Sequence, residues 1–226
     1  MKKKIVIVVP EYNEGELAVK TIKNILKISK NQVVVVDDGS INKSFEMLQT
    51  EFQKNRRVYL LRHLINLGKG ASMRTGVRMA WRLKAGAVIF IDADGQHNPN
   101  LLPKFEKALT DGFPTVFGYR QLDNQMPWVR KYGNLVAKKI LNILFGLKRK
   151  EFLCGFLGFN KSVYKKLRWQ SDRYGVETEI ATKVARHKID FMEIEIDTIY
   201  IDKYKGVTLF DALKILTRIP YWYFRK

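Results

Sequence analysis

The sequence predicts an α/β fold: an open, mostly parallel sheet with helices on both faces. Three observations predict it. Short β-branched runs alternate with helix-length amphipathic stretches through the first 120 residues. The runs are apolar at successive positions, as strands covered on both faces must be. The polar residues gather just after the runs, at the carboxyl ends of parallel strands, where open α/β sheets bind ligands.

The first strand is "IVIVV", 5–9. It follows three lysines, which gives it the outline of a signal peptide. However, the apolar stretch is five residues long and runs into Pro10-Glu11 with no small-residue cleavage site, so a strand fits better. Further strands are predicted at 33–36, 58–61, 87–91 and 115–117, with helices over 14–29, 42–54, 69–84 and 98–110 between them. Beyond 120 the alternation weakens. A long helix is expected over 128–146, then the apolar "FLCGFLGF", a helix near 177–187, strands around 189–201 and a helical segment from 207. No linker, repeat or low-complexity tract divides the chain, so one domain, 1–226, is expected.

Composition narrows the function classes. At 226 residues and 46% apolar, the chain can bury a globular core. The single cysteine, Cys154, excludes an internal disulfide and a cysteine zinc cluster, and a reducing compartment is the simplest setting. The net charge of +19 implies an anionic partner: a nucleotide, a phospholipid surface or a nucleic acid. No segment approaches the roughly 18 apolar residues of a membrane span.

The strand ends carry the chemistry. They read "PEYNE" at 10–14, "DDGS" at 37–40, "NLGKGAS" at 66–72, "DADGQ" at 92–96 and "GYR" at 118–120. In extended chain, residues i and i+2 point the same way, so Asp92 and Asp94 can converge on one hard divalent cation; an Asp-Gly turn is the competing interpretation. Asp37 and Asp38 fit either a turn that caps the next helix or acceptors for nucleoside N–H and hydroxyl groups. The glycines around Lys69 suit a phosphate at a helix start or a plain turn, and the P-loop spacing is absent.

These motifs, in this order, resemble the catalytic domain of glycosyltransferase family 2, and within it the polyprenyl-phosphate sugar transferases of the dolichyl-phosphate mannose synthase type. The resemblance is specific from residue 5 to about 120 and looser to about 210. It implies a GT-A (Rossmann-like) fold, with 1–120 as the nucleotide-sugar half and 121–226 as the acceptor half. It implies transfer of mannose or glucose from GDP-mannose or UDP-glucose to polyprenyl or dolichyl phosphate, with inversion and with Mg²⁺ or Mn²⁺. Pro10, Tyr12, Glu14, Asp37, Asp38, Lys69, Asp92 and Ala93 then line the nucleotide sugar. Asp92, Asp94 and Gln96 hold the metal, and Arg120, Arg130 and Lys203 hold the acceptor phosphate. Asp94, Arg120 and Arg130 are the catalytic candidates. An ionised phosphate acceptor needs no general base, which suits a site rich in arginine and lysine. Glu151 and Cys154 depart from the Asp and Ser or Gln common in relatives.

Two segments suit a membrane surface. The stretch 127–150 has a broad apolar arc edged by lysines, and "YWYFRK" ends in aromatic and basic residues. Packing on the core is the alternative for both. The expected location is cytoplasmic, peripheral on the cytoplasmic membrane face. A soluble glycan or protein acceptor is the second expectation. A basic nucleic-acid-binding module is the remote one, and no nucleic acid is expected because the acidic strand ends would repel its phosphates.

Overall fold

The computed structural model of the chain describes residues 3–120, 154–173 and 175–197, with positions 139, 142, 146 and 149–151. The predicted helix over 128–146, Arg130, Lys203 and the segment from 207 lie wholly or mostly outside the described residues.

The described strands are β1 (Ile5–Glu11), β2 (Gln32–Asp37), β3 (Val58–Arg62), β4 (Ala87–Phe90), β5 (Thr115–Tyr119), β6 (Leu157–Asn160) and β7 (Phe191–Glu195). They form one sheet in the order β3-β2-β1-β4-β6-β5-β7. All pairings are parallel except the two made by β6, which runs antiparallel to both β4 and β5. The sequence reading places no strand at 157–160. "LGFN" is four residues with a glycine and no β-branched side chain, so neither propensity nor period marks it. Only its long-range partners make it a strand.

The helices are α1 (Glu16–Ile28), α2 (Ser44–Phe52), α3 (Lys69–Arg82), α4 (Leu102–Thr110, after a 3₁₀ turn at Pro99–Leu101), α5 (Lys161–Leu167) and α6 (Val176–Arg186). Successive β1 side chains choose opposite cores. Ile5, Ile7 and Val9 pack with Ile22 and Ile25 of α1, Leu48 of α2 and Phe105 of α4. Val6 and Val8 pack with Met73 and Val77 of α3, Leu167 of α5 and Ile180 of α6. Both sheet faces are therefore covered, which is why the strands read as continuous apolar runs. Phe105 stacks on Phe156 at 4.0 Å, fastening α4 beneath the residue before β6. On the other face Phe159, Tyr164 and Trp169 form an aromatic cluster with Phe90, and Tyr164 also meets Trp81 edge-on at 5.6 Å. No helix among the described residues is long and apolar enough to cross a membrane.

Candidate active site

β1 runs two residues past the predicted end, through Pro10 to Glu11, and pairs Glu11 with Asp37 of β2. Two carboxyl side chains thus meet in the interior, Glu11 at 3% exposure and Asp37 at 0%. Arg62 faces the pair, its Nε 3.2 Å from Asp37 Oδ2. Burial and the adjoining Asp37, through both a hydrogen bond and its charge, push Glu11 up to about 7. The pair therefore keeps a proton near neutrality. The Ser40 N–H donates to Asp37, and its hydroxyl lies 3.3 Å from Glu11 Oε2. Glu14 N–H donates to Glu11 Oε1 at 2.9 Å. The loops after β1 and β2 are locked together through this pair. Tyr12 stands at the lip, 38% exposed, and Glu14 is half-buried.

Asp38 turns the other way. It accepts from the N–H groups of Leu67 (3.1 Å) and Gly68 (2.7 Å) and meets His63 Nδ1 at 2.7 Å. It ties the loop before α3 to β2. The start of α3 is also engaged: Gly70 N–H donates to the Asp172 carbonyl at 2.7 Å, and Ala71 N–H reaches the same oxygen at 3.4 Å. A Cβ on Gly70 would lie 2.0 Å from the Ser171 carbonyl oxygen, so this glycine admits the 171–172 backbone. The glycines around Lys69 thus serve chain packing, and these two amides are not free for a phosphate. Glu179 of α6 fixes the same loop, accepting from Gln170 N, Ser171 N and Ser171 Oγ, with Lys183 at 2.8 Å. Burial raises the Glu179 carboxyl, but the bonds from Lys183 and Ser171 prevail and lower it.

Past β4 lies the aspartate pair. Lys69 Nζ reaches both oxygens of Asp92, at 2.7 and 2.9 Å, and Glu177 Oε1 of α6 at 2.7 Å. Burial opposes charge on Lys69, yet the two carboxylates outweigh it and raise the amine above its ordinary value. Asp92 is lowered: Lys69 overcomes the desolvation of its carboxylate. Gly155 belongs to this arrangement, since a Cβ there would come within 2.4 Å of Asp92 Oδ2 and 2.6 Å of Lys69 Nζ. His97 is buried and pushed down to about 4, so it is neutral and accepts from Asp92 N–H through Nδ1 at 3.3 Å. Ala93 is buried, and its carbonyl accepts from Thr21.

Among the described residues Asp94 makes no salt bridge, and Lys69 acts on it only as a minor, more distant charge. Burial and the charge of Asp92 raise it to about 6, and Gln96 N–H donates to its Oδ1 at 3.0 Å. A buried-edge carboxylate held above its ordinary value suits a divalent cation, which would relieve that cost. The Asp94 carboxylate and Gln96 amide oxygen are hard donors, and Mg²⁺ or Mn²⁺ needs only one or two carboxylates when substrate phosphates complete its shell. No cluster of three His, Cys, Asp or Glu residues among the described residues offers an all-protein cage. The site therefore fits a cation shared with a diphosphate.

At the end of β5, Arg120 forks onto Glu151, with its main-chain N–H on Oε2 at 2.7 Å and Nε on Oε1 at 3.1 Å. Glu151 thus helps to orient Arg120. Cys154 is buried and its thiol is pushed up to about 12, mainly by desolvation, so it is not a nucleophile. Sequence reasoning did not single out Glu11, His97 or Gly155, and did not pair Glu177 with Lys69. The extra carboxylate in "PEYNE" was the one visible sign of the Glu11–Asp37 pair.

The profile of "Glycosyl transferase family 2" matches residues 6–168. The chain is 32% identical to the uncharacterized protein MJ1222 of Methanocaldococcus jannaschii, over 96% of this chain and 91% of that one. It is 27% identical to the UDP-N-acetylglucosamine--dolichyl-phosphate N-acetylglucosaminyltransferase of Methanococcus voltae, over 96% and 95% of the two chains. Glucosyl-3-phosphoglycerate synthase from Mycobacterium tuberculosis, solved with Mn²⁺, UDP and phosphoglyceric acid, superposes with a TM-score of 0.74 at 15% identity, over 98% of this chain and 79% of that one. The architecture is the α/β GT-A fold. Because the matched span takes in the ends of the first five strands, where the crevice residues lie, this chain belongs to glycosyltransferase family 2.

Proposed function

We propose that the chain transfers a hexose from a UDP- or GDP-sugar to a polyprenyl phosphate at a membrane face, with inversion at the anomeric carbon. The observation that carries the chemistry is Asp94, a carboxylate raised to about 6 beside an Asp92 already neutralised by Lys69. The lipid acceptor is supported by the full-length relative from Methanococcus voltae, whose name specifies dolichyl phosphate. A metal-bound nucleotide is supported by the complex of the structural neighbour with Mn²⁺ and UDP.

Asp94 and Gln96 would hold the Mg²⁺ or Mn²⁺ ion, while Asp92, expected from the sequence to join them, has both oxygens on Lys69. When bound, such an ion stabilises the negative charge that gathers on a departing diphosphate, worth several kcal/mol. The residues of the chain do the rest. The locked loops 10–14 and 37–40 form the nucleoside side of the crevice, with Tyr12 and Glu14 at its surface and the buried Pro10 and Asp37 assigned to the nucleoside from the family resemblance. Lys69 holds Asp92 ionised and in place, so the β4 end keeps its shape as charge develops beside it. Arg120, aimed by Glu151, binds and orients an acceptor phosphate, with Arg130 and Lys203 assigned to the same anion from the family resemblance. That phosphate attacks as an anion, so no carboxylate is required as base.

The test is turnover of UDP- and GDP-hexoses with a polyprenyl phosphate and Mn²⁺. Asp94→Ala should lower the rate at least about hundredfold. With Mn²⁺ below saturation, turnover should rise as pH increases through about 6, because a proton on Asp94 competes with the metal, and saturating Mn²⁺ should move that rise to lower pH. Unchanged turnover in Asp94→Ala, or metal-free turnover equal to that with Mn²⁺, overturns the proposal. Preference for a water-soluble acceptor would keep the transferase and remove the lipid.

A further inference from the structure

The high net charge is not evenly spread. Residues 69–84, which contain α3, and 160–170, which contain α5, include no aspartate or glutamate. The two helices lie side by side: Trp81 of α3 meets Tyr164 of α5, and Lys161 Nζ sits 5.4 Å from the Trp81 ring centre. Arg74, Arg78 and Arg82 recur at i, i+4 and i+8 along α3, and Lys161, Lys165 and Arg168 continue the stripe on α5, with Lys166 beside it. Arg78, Arg82, Lys161, Lys165, Lys166 and Arg168 are exposed, and none is in a salt bridge among the described residues. The nearby carboxylates are already used: Asp172 pairs with Arg74, and Glu179 with Lys183 beneath the surface. Like charges one turn apart destabilise a helix, so this stripe is unfavourable until an anion faces it. The positive field is felt across the boundary between the helices: Arg168, Arg78 and Arg74 all act on the Tyr164 hydroxyl, and Lys166 acts on His187 at the end of α6.

We propose that the α3–α5 face is a docking surface for an anionic phospholipid bilayer, set against the membrane by this basic stripe. The chemistry favours a bilayer over a nucleic acid. Single-stranded nucleic acid needs open aromatic faces for stacking, whereas Trp81 and Tyr164 are turned edge to face on each other and Lys161 covers the Trp81 ring. A bare array of lysines and arginines with half-buried Trp and Tyr between them suits a plane of headgroup phosphates. The surface is also placed for use. Directly after Arg168, Trp169 Nε1 donates to the Gly70 carbonyl at 2.9 Å, and Arg74 reaches the Ser171 carbonyl at 3.1 Å. The stripe therefore ends at the rim of the crevice. This extends the lipid-acceptor reading to a region apart from 127–150 and 207–226, and it can fail independently of it.

The experiment is sedimentation of the full chain with vesicles of phosphatidylcholine alone or with about 30% phosphatidylglycerol, at ionic strength near 0.1 M. The wild type should bind only the anionic vesicles. The variant R78E/R82E/K165E/K166E should lose at least about a hundredfold in partition coefficient, since each basic residue near the surface contributes roughly fivefold. R78K/R82K/K165R/K166R should bind as the wild type does. R78Q/R82Q/K165Q/K166Q should fall between, which preserves the test if charge reversal prevents folding. Failure of the wild type to bind anionic vesicles, or undiminished binding by the Gln variant, overturns the proposal. Tighter binding to mixed-sequence RNA than to vesicles, lost with the same substitutions, also overturns it and makes the stripe a nucleic-acid surface. Hexose transfer to a short polyprenyl phosphate in detergent, without vesicles, reads the acceptor separately and should be equal in wild type and Gln variant.

Discussion

Glu11 shows how much a single side chain can add to this site. Its pKa in the folded protein is about 7, above the ordinary carboxyl value of 4.5, so folding takes up a proton between those two pH values. The stabilisation is complete below the unfolded value and is lost as pH rises through about 7, each tenfold gain in proton affinity being worth roughly 1.4 kcal/mol. Glu11→Gln, which keeps the shape without the charge, should therefore gain in melting temperature relative to wild type as pH rises from 5 to 8. A constant difference across that range would mean that the pair holds no extra proton. Lys69 makes the opposite case. Lys69→Met would leave Asp92 and Glu177 facing each other without their cation, at a cost of about 3 kcal/mol, read as a lower midpoint in urea. Gly155→Ala tests the same pair sterically, since its new methyl would meet both members. It should cut turnover more than it lowers melting temperature.

At the scale of elements, the 168–172 loop is held by Glu179 on one side and caps α3 on the other. Glu179→Ala should release it, seen as faster amide exchange at Gly70 and Ala71, while the amides of β1 stay protected. That Glu179 clasps the 170–171 backbone was not legible in the sequence, where it fits either an acidic first turn of a helix or a contact to donor hydroxyls or the acceptor loop. The first five strands and first four helices were legible, because each is a local period bounded by turn residues. β6 was not, since four residues with a glycine carry no period and depend on partners about seventy and forty residues earlier. The candidate site divides in the same way. Asp92 and Asp94 stand out by their spacing after a strand, whereas Gln96 enters only through the family resemblance. The Lys69–Asp92–Glu177 bridge joins three elements, and no local pattern announces it.

For the whole molecule, donor binding should appear as stability. A nucleotide at about a hundred times its dissociation constant adds about 2.7 kcal/mol to the folded state. For a chain of this size that is a rise of roughly 5–10 °C in melting temperature. With Mn²⁺ present, UDP or GDP should produce that rise in the wild type and a much smaller one in Asp94→Ala. The strand order has a consequence of a different kind. β4 and β5 are consecutive in the chain, yet β6 stands between them. During synthesis, an emerging chain of 120 residues would hold two ready strand edges with nothing of its own to fill the gap. The sheet can close only after residue 160 has left the ribosome, and a chaperone that shields β-edges would find its substrate in that interval.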